Sequence, residues 1–210
     1  MASSFVDQVP VIVYLLQQLH PRTVLDVGKG FGKYGFLLHE YVGVSASKAP
    51  DPARTLIQQS DVAVDAVEVQ ESYLWPHIAQ LYRQTFIGRI EDLYTKLAAY
   101  DVVLMSDVIE HIEKGVGLEV MQHFVEKGSA VIVSTPKDYF HQELYGSTHE
   151  QHVSHWAPRD FRFAPYLDYQ NCGAGRVFLL SKEPRIVRGF GNRPLSRLRR
   201  VGRTLLSEFR

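Results

Sequence analysis

Two groups of residues in this 210-residue chain have the types and spacing to do chemistry. The first is Asp26-Val-Gly28-Lys-Gly30-Phe-Gly32, set between the apolar run Val24 to Val27 and the helical pattern Tyr34 to Tyr41. Glycine is needed where a backbone turns sharply and approaches a ligand that a Cβ would strike. Strand, glycine turn and helix start, in that order, form the nucleotide-binding edge of an α/β sheet. The second group is Asp107-Val-Ile-Glu110-His111, joined by a histidine-rich stretch in which His149, His152 and His155 recur every third residue. On a helix, Asp107, Glu110 and His111 share one face. With His152 from a facing loop they make an oxygen and nitrogen set suited to Mg²⁺ or Mn²⁺ rather than to a structural zinc. Without a cation, His152, His111 and then His149 are candidate general bases. A third reading is local: Asp107 and Glu110, three apart, make a capping box that starts a helix and nothing more.

The hydrophobic pattern supplies alternating strands and helices to position these groups. Val11 to Leu19 reads as a helix ended by His20-Pro21, Val24 to Val27 as the first strand, and Tyr34 to Tyr41 as a second helix. Val44 to Asp61 is polar and turn-rich, a loop with room for one helical turn. Ala63 to Val69 reads as the second strand, Pro76 to Tyr82 as a helix, Thr85 to Ile87 as a short third strand and Tyr100 to Met105 as the fourth. Val108 to Val125 then reads as a long helix and Ala130 to Ser134 as the fifth strand. Short, nearly all-apolar strands between helices predict a parallel sheet covered on both faces. Strands near Tyr166 to Gln170 and Arg176 to Leu180, joined by Asn171-Cys-Gly-Ala-Gly175, predict a terminal hairpin. The expected fold class is α/β: a Rossmann-like, mostly parallel sheet with a C-terminal antiparallel hairpin and helices on both faces. Ligands bind at the carboxyl ends of such strands. There the sequence places the glycine loop, Glu68-Val69, Gly88-Arg89-Ile90-Glu91 and Ser106-Asp107.

Composition narrows the class. With 45% apolar and 22% charged residues, the chain suits one globular domain. A single cysteine, Cys172, excludes an intrachain disulfide framework and fits a reducing compartment. The N-terminus lacks a basic leader and the run Val9 to Leu16 is too short to span a bilayer, so a cytoplasmic location is expected. The net charge of zero conceals an asymmetry: residues 185–210 hold eight arginines and one acid, Glu208, giving +7 and leaving −7 on the rest. The expected division is a domain over 1–184 and a basic tail over 185–210. In the tail, Leu195, Leu198, Val201, Leu205, Leu206 and Phe209 would share one helix side, with the arginines outside it. Such a tail would lie on an anionic membrane as a peripheral contact, or pack on its own domain or a second subunit. The chain lacks a recognisable RNA module, so nucleic acid ranks below a small-molecule or glycan partner.

With its acid ahead of the glycines, Asp26-x-Gly28-x-Gly30-x-Gly32 resembles the first motif of class I S-adenosylmethionine-dependent methyltransferases and departs from the dinucleotide pattern. Phe31-Gly-Lys-Tyr-Gly-Phe-Leu-Leu, Tyr100-Asp-Val-Val-Leu-Met-Ser-Asp-Val-Ile-Glu-His, Ser134-Thr-Pro-Lys and Gln151-His-Val-Ser-His-Trp156 are similar to a bacterial group of that family often linked with surface glycans. The resemblance runs to about Leu180 and implies S-adenosyl-L-methionine as cofactor. Asp26 would then sit near the methionine amino group, with Gly28, Gly30 and Gly32 beneath the cofactor. Glu68 with Val69 would serve the ribose, Ile90 and Glu91 the adenine, and Ser106 with Asp107 the crevice. Lys29 and Arg89 depart from the family pattern, which keeps open a cofactor-binding protein without catalysis; Arg89 is expected to pair with Asp92.

A second resemblance is to metal-assisted O-methyltransferases, namely ubiquinone-pathway enzymes and small-RNA 3′-terminal 2′-O-methyltransferases. The latter carry Glu-x-x-Glu-His and a later histidine before a tryptophan. Here Asp107 replaces the first glutamate, and His152 precedes Trp156 by four residues. This implies transfer to a hydroxyl of a sugar, glycolipid or other small acceptor, with an RNA 2′-hydroxyl as the alternative. A hydroxyl is too weak an acid to lose its proton unaided, so a histidine base or a cation is needed. Tyr139, Phe140, Tyr145 and Trp156 are expected to wall the acceptor pocket.

Overall fold

Central strands buried on both faces must divide their alternate side chains between two cores. The computed structural model, which describes residues 5–44, 51–138 and 151–191, shows that division strand by strand. Strands β1 (Thr23–Val27), β2 (Ala63–Glu68), β3 (Gln84–Ile87), β4 (Val102–Ser106) and β5 (Ala130–Pro136) run parallel. Strands β6 (Tyr166–Cys172) and β7 (Gly175–Ser181) form an antiparallel hairpin whose β7 pairs with β5. The sheet order is β3-β2-β1-β4-β5-β7-β6. It reverses between β1 and β4, and that reversal opens a crevice at their carboxyl ends. This is the Rossmann-like architecture with a terminal hairpin that the apolar pattern predicts.

Among the described residues, six α-helices clothe the sheet: α1 (Val9–Leu19), α2 (Lys33–Leu38), α3 (Leu56–Gln59), α4 (Pro76–Ala79), α5 (Ile90–Leu93) and α6 (Lys114–Glu126). Val24, Val64, Val102, Leu104 and Ile132 face α1, α2 and α4, where Leu15, Leu38 and Ile78 meet them. The intervening residues Leu25, Val103, Met105 and Val133 face α6 through Val120, Met121 and Phe124. Helix α2 is shorter than the pattern suggests, because a π-turn over His39–Gly43 follows it.

The largest departure follows β4. No long helix begins at Val108. Asp107 takes a left-handed conformation at φ 52°, a 3₁₀ turn spans Ile109–His111, and Ile112 is extended. Helix α6 starts only at Lys114, where the Glu113 carboxylate accepts from the Val116 amide at 3.1 Å. The capping role expected of Asp107 and Glu110 therefore belongs to Glu113. The shared helix face invoked for Asp107, Glu110 and His111 does not exist.

At the other end, the packed body continues past residue 184. Val187 and Phe190 are buried, and the Tyr14 hydroxyl donates to the Arg188 carbonyl at 2.6 Å. Residues 192–210, with the amphipathic pattern from Leu195 to Phe209, lie outside the described residues. Among the described residues no helix is long and apolar enough to cross a membrane.

Leu104 is fully buried at the centre of β4. Leu104→Ala should lower stability by about 2–5 kcal/mol. Urea unfolding should show a lower midpoint with an unchanged slope, the mark of lost packing rather than an altered denatured state.

Candidate functional site

The crevice is built from the glycine loop upward. Gly28 donates to the Val67 carbonyl at 2.8 Å, and Gly30 donates to Glu68 Oε2 at 3.0 Å. Glu68 Oε1 accepts from the Gln70 amide at 2.9 Å, so this buried carboxylate ties two loops to each other. Each carboxylate oxygen has the capacity for a second hydrogen bond. Gly28, Gly30 and Gly32 are all left-handed, at φ 71°, 50° and 76°. A Cβ on Gly28 would lie 2.6 Å from Val108 Cγ2, whereas one on Gly30 would meet nothing within 4 Å. Gly30 therefore faces open space, and the loop is a cradle that fits an adenosyl cofactor.

Lys29 is buried, and its ammonium donates to the Tyr73 carbonyl at 2.9 Å. Phe31 stacks on Trp75 with centroids 4.5 Å apart, and Tyr73 lies beside both. A lysine at the position where small residues are usual thus straps the loop after β2 onto the glycine loop. Burial lowers the Lys29 pKa, and the charges of Glu68 and Asp26 work against that fall.

Asp26 is almost fully buried and accepts from the Tyr82 hydroxyl at 2.6 Å. The same hydroxyl accepts from the Gly35 amide at 3.2 Å, joining β1 to α2. Burial lifts the Asp26 carboxyl to about 6; Tyr82 opposes the rise and Glu68 adds to it. After β3, Ile90 is buried in the core, and Arg89 pairs with Glu91 rather than with the expected Asp92. Arg89 is extended as the residue preceding α5, which brings its guanidinium to the position two residues on. Val69 is half-buried just past the end of β2.

On the β4 side, Ser106 Oγ donates to Tyr34 Oη at 3.2 Å and lies 2.9 Å from Ser134 Oγ. Ser134 Oγ donates to Asp107 Oδ1 at 3.4 Å, while the Asp107 amide donates to the Ser134 carbonyl at 3.0 Å. The left-handed backbone of Asp107 is a strained arrangement for a residue with a Cβ, held here by its neighbours.

Beside it, Glu110, His111 and His152 converge: one candidate ligand atom from each lies within 4.8 Å of the others. Asp107 does not join them. The left-handed turn separates its carboxylate from that of Glu110, and its Oδ1 is engaged by Ser134. The cluster is assembled by backbone. Val153 and Ser154 donate to the Glu110 carbonyl at 2.8 and 3.1 Å, and Trp156 Nε1 and Ser154 Oγ donate to the Ile109 carbonyl at 3.0 and 2.9 Å.

His111 Nδ1 meets the Gln151 carbonyl at 3.0 Å. A carbonyl only accepts, so Nδ1 carries the proton and Nε2 keeps its lone pair. Burial lowers the His111 pKa, which leaves it neutral near pH 7. Burial also pushes Glu110 far above the carboxylate range, the charge of Asp107 adds to this, and a hydrogen bond with Thr135 opposes it. Among the described residues, Glu110 Oε2 has no hydrogen-bond partner. Two imidazoles and a buried, underused carboxylate oxygen fit a small divalent cation.

Other expectations divide. His155 bonds the Lys137 carbonyl at 2.9 Å and is not in the cluster. Trp156 is fully buried core beside Phe161 and does not wall a pocket. His149, Tyr139, Phe140 and Tyr145 lie outside the described residues. Tyr82, Tyr73 and Trp75 join the site without any motif to announce them, whereas Thr135 and Gln151 lie inside the Ser134-Thr-Pro-Lys and Gln151-His-Val-Ser-His-Trp156 motifs, which assign them no role.

No protein-family model matches the sequence, and no curated protein matches it. Solved structures do. Monomeric WbdD aligns with 91% of this chain and 45% of its own at TM-score 0.62 and 15% identity. An O-methyltransferase family protein from Burkholderia thailandensis aligns with 84% of this chain and 56% of its own at TM-score 0.56 and 14% identity. The methyltransferase domain of bacterial CtHen1 aligns with 83% of this chain and 97% of its own at TM-score 0.54 and 18% identity. The chain thus spans about half the length of the first two. The fold is that of the class I S-adenosylmethionine-dependent methyltransferases.

The Asp26 carboxyl sets a pH-dependent test. Its folded value of about 6 exceeds the ordinary 3.8, so the native state holds this proton more tightly than the unfolded chain. That contribution is present in acid and is lost as pH rises through about 6. Asp26→Asn keeps an acceptor for Tyr82 and removes the buried charge. Without cofactor, thermal unfolding should show the variant more stable by on the order of 2–3 kcal/mol at pH 8 and equal to wild type near pH 4. An unchanged difference across that range would show that Asp26 does not titrate there.

Proposed function

We propose that this protein is an S-adenosylmethionine-dependent methyltransferase that methylates a hydroxyl of a sugar, glycolipid or other small acceptor. The observation that carries this reading is the contiguity of two built groups at the β1–β4 crevice. The open cradle at Gly30 leads through Ser106, Ser134 and Asp107 to the Glu110, His111 and His152 cluster. Structures of the EvdMO1 N-terminal domain, solved with S-adenosylhomocysteine and in the presence of S-adenosylhomocysteine and D-fucose, share the fold at TM-scores of 0.59 and 0.56 and support a sugar-sized acceptor.

The cofactor would be held by Gly28, Gly30 and Gly32 with Asp26, by Glu68 and Val69 at the ribose, and by Ile90 and Glu91 at the adenine. It supplies a methyl group on a sulfonium, whose leaving group needs no assistance. The protein's task is then to align a hydroxyl with that methyl and remove its proton. His111 is suited to accept it: its tautomer is fixed by Gln151, which leaves the lone pair on Nε2, and it sits in the cluster with His152 and Glu110. His152, buried against it at a centroid distance of 5.0 Å, is the second acceptor for that proton. A divalent cation held by Glu110, His111 and His152 would supply acidification of the hydroxyl instead. The buried acid of Glu110 must then ionise, so cation affinity should rise with pH.

A pooled acceptor screen that reads S-adenosylhomocysteine release, with sugars, glycolipids and RNA ends in separate pools, tests the activity. Calorimetry should show binding of S-adenosylhomocysteine and not NAD. Gly30→Val should abolish that binding while the fold survives, since its side chain would fill the cradle. Tighter binding of NAD would sink the reading.

With an acceptor in hand, a chelator separates the two modes of proton removal. If a cation acts, the chelator stops transfer, Mn²⁺ restores it, and His152→Ala loses the rescue. If a histidine acts alone, the chelator does nothing and His152→Ala is slowed by on the order of 10²–10⁴-fold. Full turnover by both Glu110→Gln and His152→Ala would leave the cluster a structural one.

A further inference from the structure

The cradle carries a cation between its first two glycines. Lys29 is 4% exposed, and its backbone amide donates to the Val67 carbonyl at 3.4 Å. Its Nζ donates to the Tyr73 carbonyl at 2.9 Å and to the Gly30 carbonyl at 3.4 Å. Glu68 crosses the same junction, with Oε2 accepting from the Gly30 amide and Oε1 from the Gln70 amide. The glycine loop and the loop after β2 are thus tied once by an anion and once by a cation. A neutral donor of similar reach would tie them as well, so the charge of Lys29 is a separate property of the position.

That charge is not cancelled by its hydrogen-bond partners. Both acceptors on Nζ are carbonyls, and among the described residues the ammonium enters no salt bridge. Glu68 and Asp26 act on it through space, against the burial that lowers its pKa. With so little of the side chain open to water, its field is weakly screened. The open side of the loop is at Gly30, where a Cβ would meet nothing within 4 Å, and Nζ touches the carbonyl of that same residue. A ligand seated on Gly30 therefore feels the ammonium across one residue of backbone.

Given the cofactor proposed above, we infer that Lys29 is a specificity residue of this site, biasing it against the cationic S-adenosylmethionine and toward its product, S-adenosylhomocysteine. The two ligands differ by one methyl group and by the positive charge on sulfur, since the product is a neutral thioether. Asp26 and Glu68 attract the sulfonium, and Lys29 offsets that attraction; a small residue here would leave it whole. Product in the cradle then competes well with fresh cofactor. Net transfer slows as product accumulates, unless another reaction consumes it.

Calorimetric titration of the full chain with each ligand, at one pH and salt concentration, gives the two dissociation constants. Lys29→Met keeps the length of the stem and removes both charge and strap. Lys29→Gln removes the charge and keeps an N–H donor for the Tyr73 carbonyl. In both, the dissociation constant of S-adenosylmethionine divided by that of S-adenosylhomocysteine should fall by about fivefold or more. Loss of the strap alone would weaken both ligands together and leave that ratio where it was. Lys29→Arg keeps the charge and should keep the wild-type ratio. So should Lys182→Met, which removes an exposed lysine just past β7, at the opposite edge of the sheet.

If Lys29→Met fails to fold, Lys29→Gln carries the comparison. An unchanged ratio in the folded variants overturns the proposal and leaves the cofactor reading intact. An equal fall in Lys29→Arg or Lys182→Met also overturns it, since the effect would then not belong to the charge at this position. If wild type binds neither ligand, the cofactor reading falls and this proposal with it.

Discussion

Two buried carboxylates on neighbouring strands, Asp26 and Glu68, hold the glycine loop in place, and the rest of the crevice depends on that hold. Glu68 fixes the Gly30 amide from β2, and Asp26 fixes Tyr82, whose hydroxyl receives the Gly35 amide of α2. The Tyr82 ring can approach only because Gly35 lacks a side chain: a Cβ there would lie 2.6 Å from the ring. The loop is therefore preset in a left-handed path by tertiary hydrogen bonds as well as by its own glycines. Burial at the end of the sheet lifts the Asp26 carboxyl to about 6, and the charge of Glu68 adds to the rise. Lys29, drawn in from the loop itself, offsets part of that charge while strapping the next loop down.

How much of this was legible depended on whether the cause was local. The five parallel strands could be read because both faces of each central strand are buried, which leaves near-continuous apolar runs such as Val102 to Met105. The hairpin could be read from the short runs Tyr166 to Gln170 and Arg176 to Leu180 on either side of Gly173. The turn after β4 could not. Its shape is set by the Ile109 and Glu110 carbonyls accepting from residues 153, 154 and 156, partners more than forty positions away. Local spacing favoured a helix from Val108, and long-range hydrogen bonding overrode it. Trp156 misled for a related reason. An aromatic near the histidines suggested a pocket wall, but Gly117 on α6 leaves room for the indole to enter the core, 2.9 Å from where a Cβ would stand.

The glycine loop and the histidine cluster differ in how they tolerate burial. The loop presents backbone amides, whose polarity is met by Glu68 and the Val67 carbonyl. The cluster presents ionisable groups, and burial drives each toward its neutral form: Glu110 upward, His111 downward. A neutral acid and a neutral imidazole need no counter-ion, so the set can be assembled by folding alone, through the carbonyls that Ile109, Glu110 and Gln151 offer.

The position of Asp107 sharpens this point. A second carboxylate in the set would add a charge to a desolvated site and demand a cation merely to fold. Here the shorter acid is turned away by its left-handed backbone, bonds Ser134, and has the charge of the half-buried Lys33 nearby. What remains, one carboxylate and two imidazoles, carries at most a single negative charge. A divalent cation there would be held less tightly than by a two-carboxylate set, and its loss would not require unfolding. With Nδ1 held by Gln151, His111 has one lone pair, on Nε2, and a cation or a proton would take that same pair, so the two routes to a deprotonated hydroxyl compete for one preorganised imidazole.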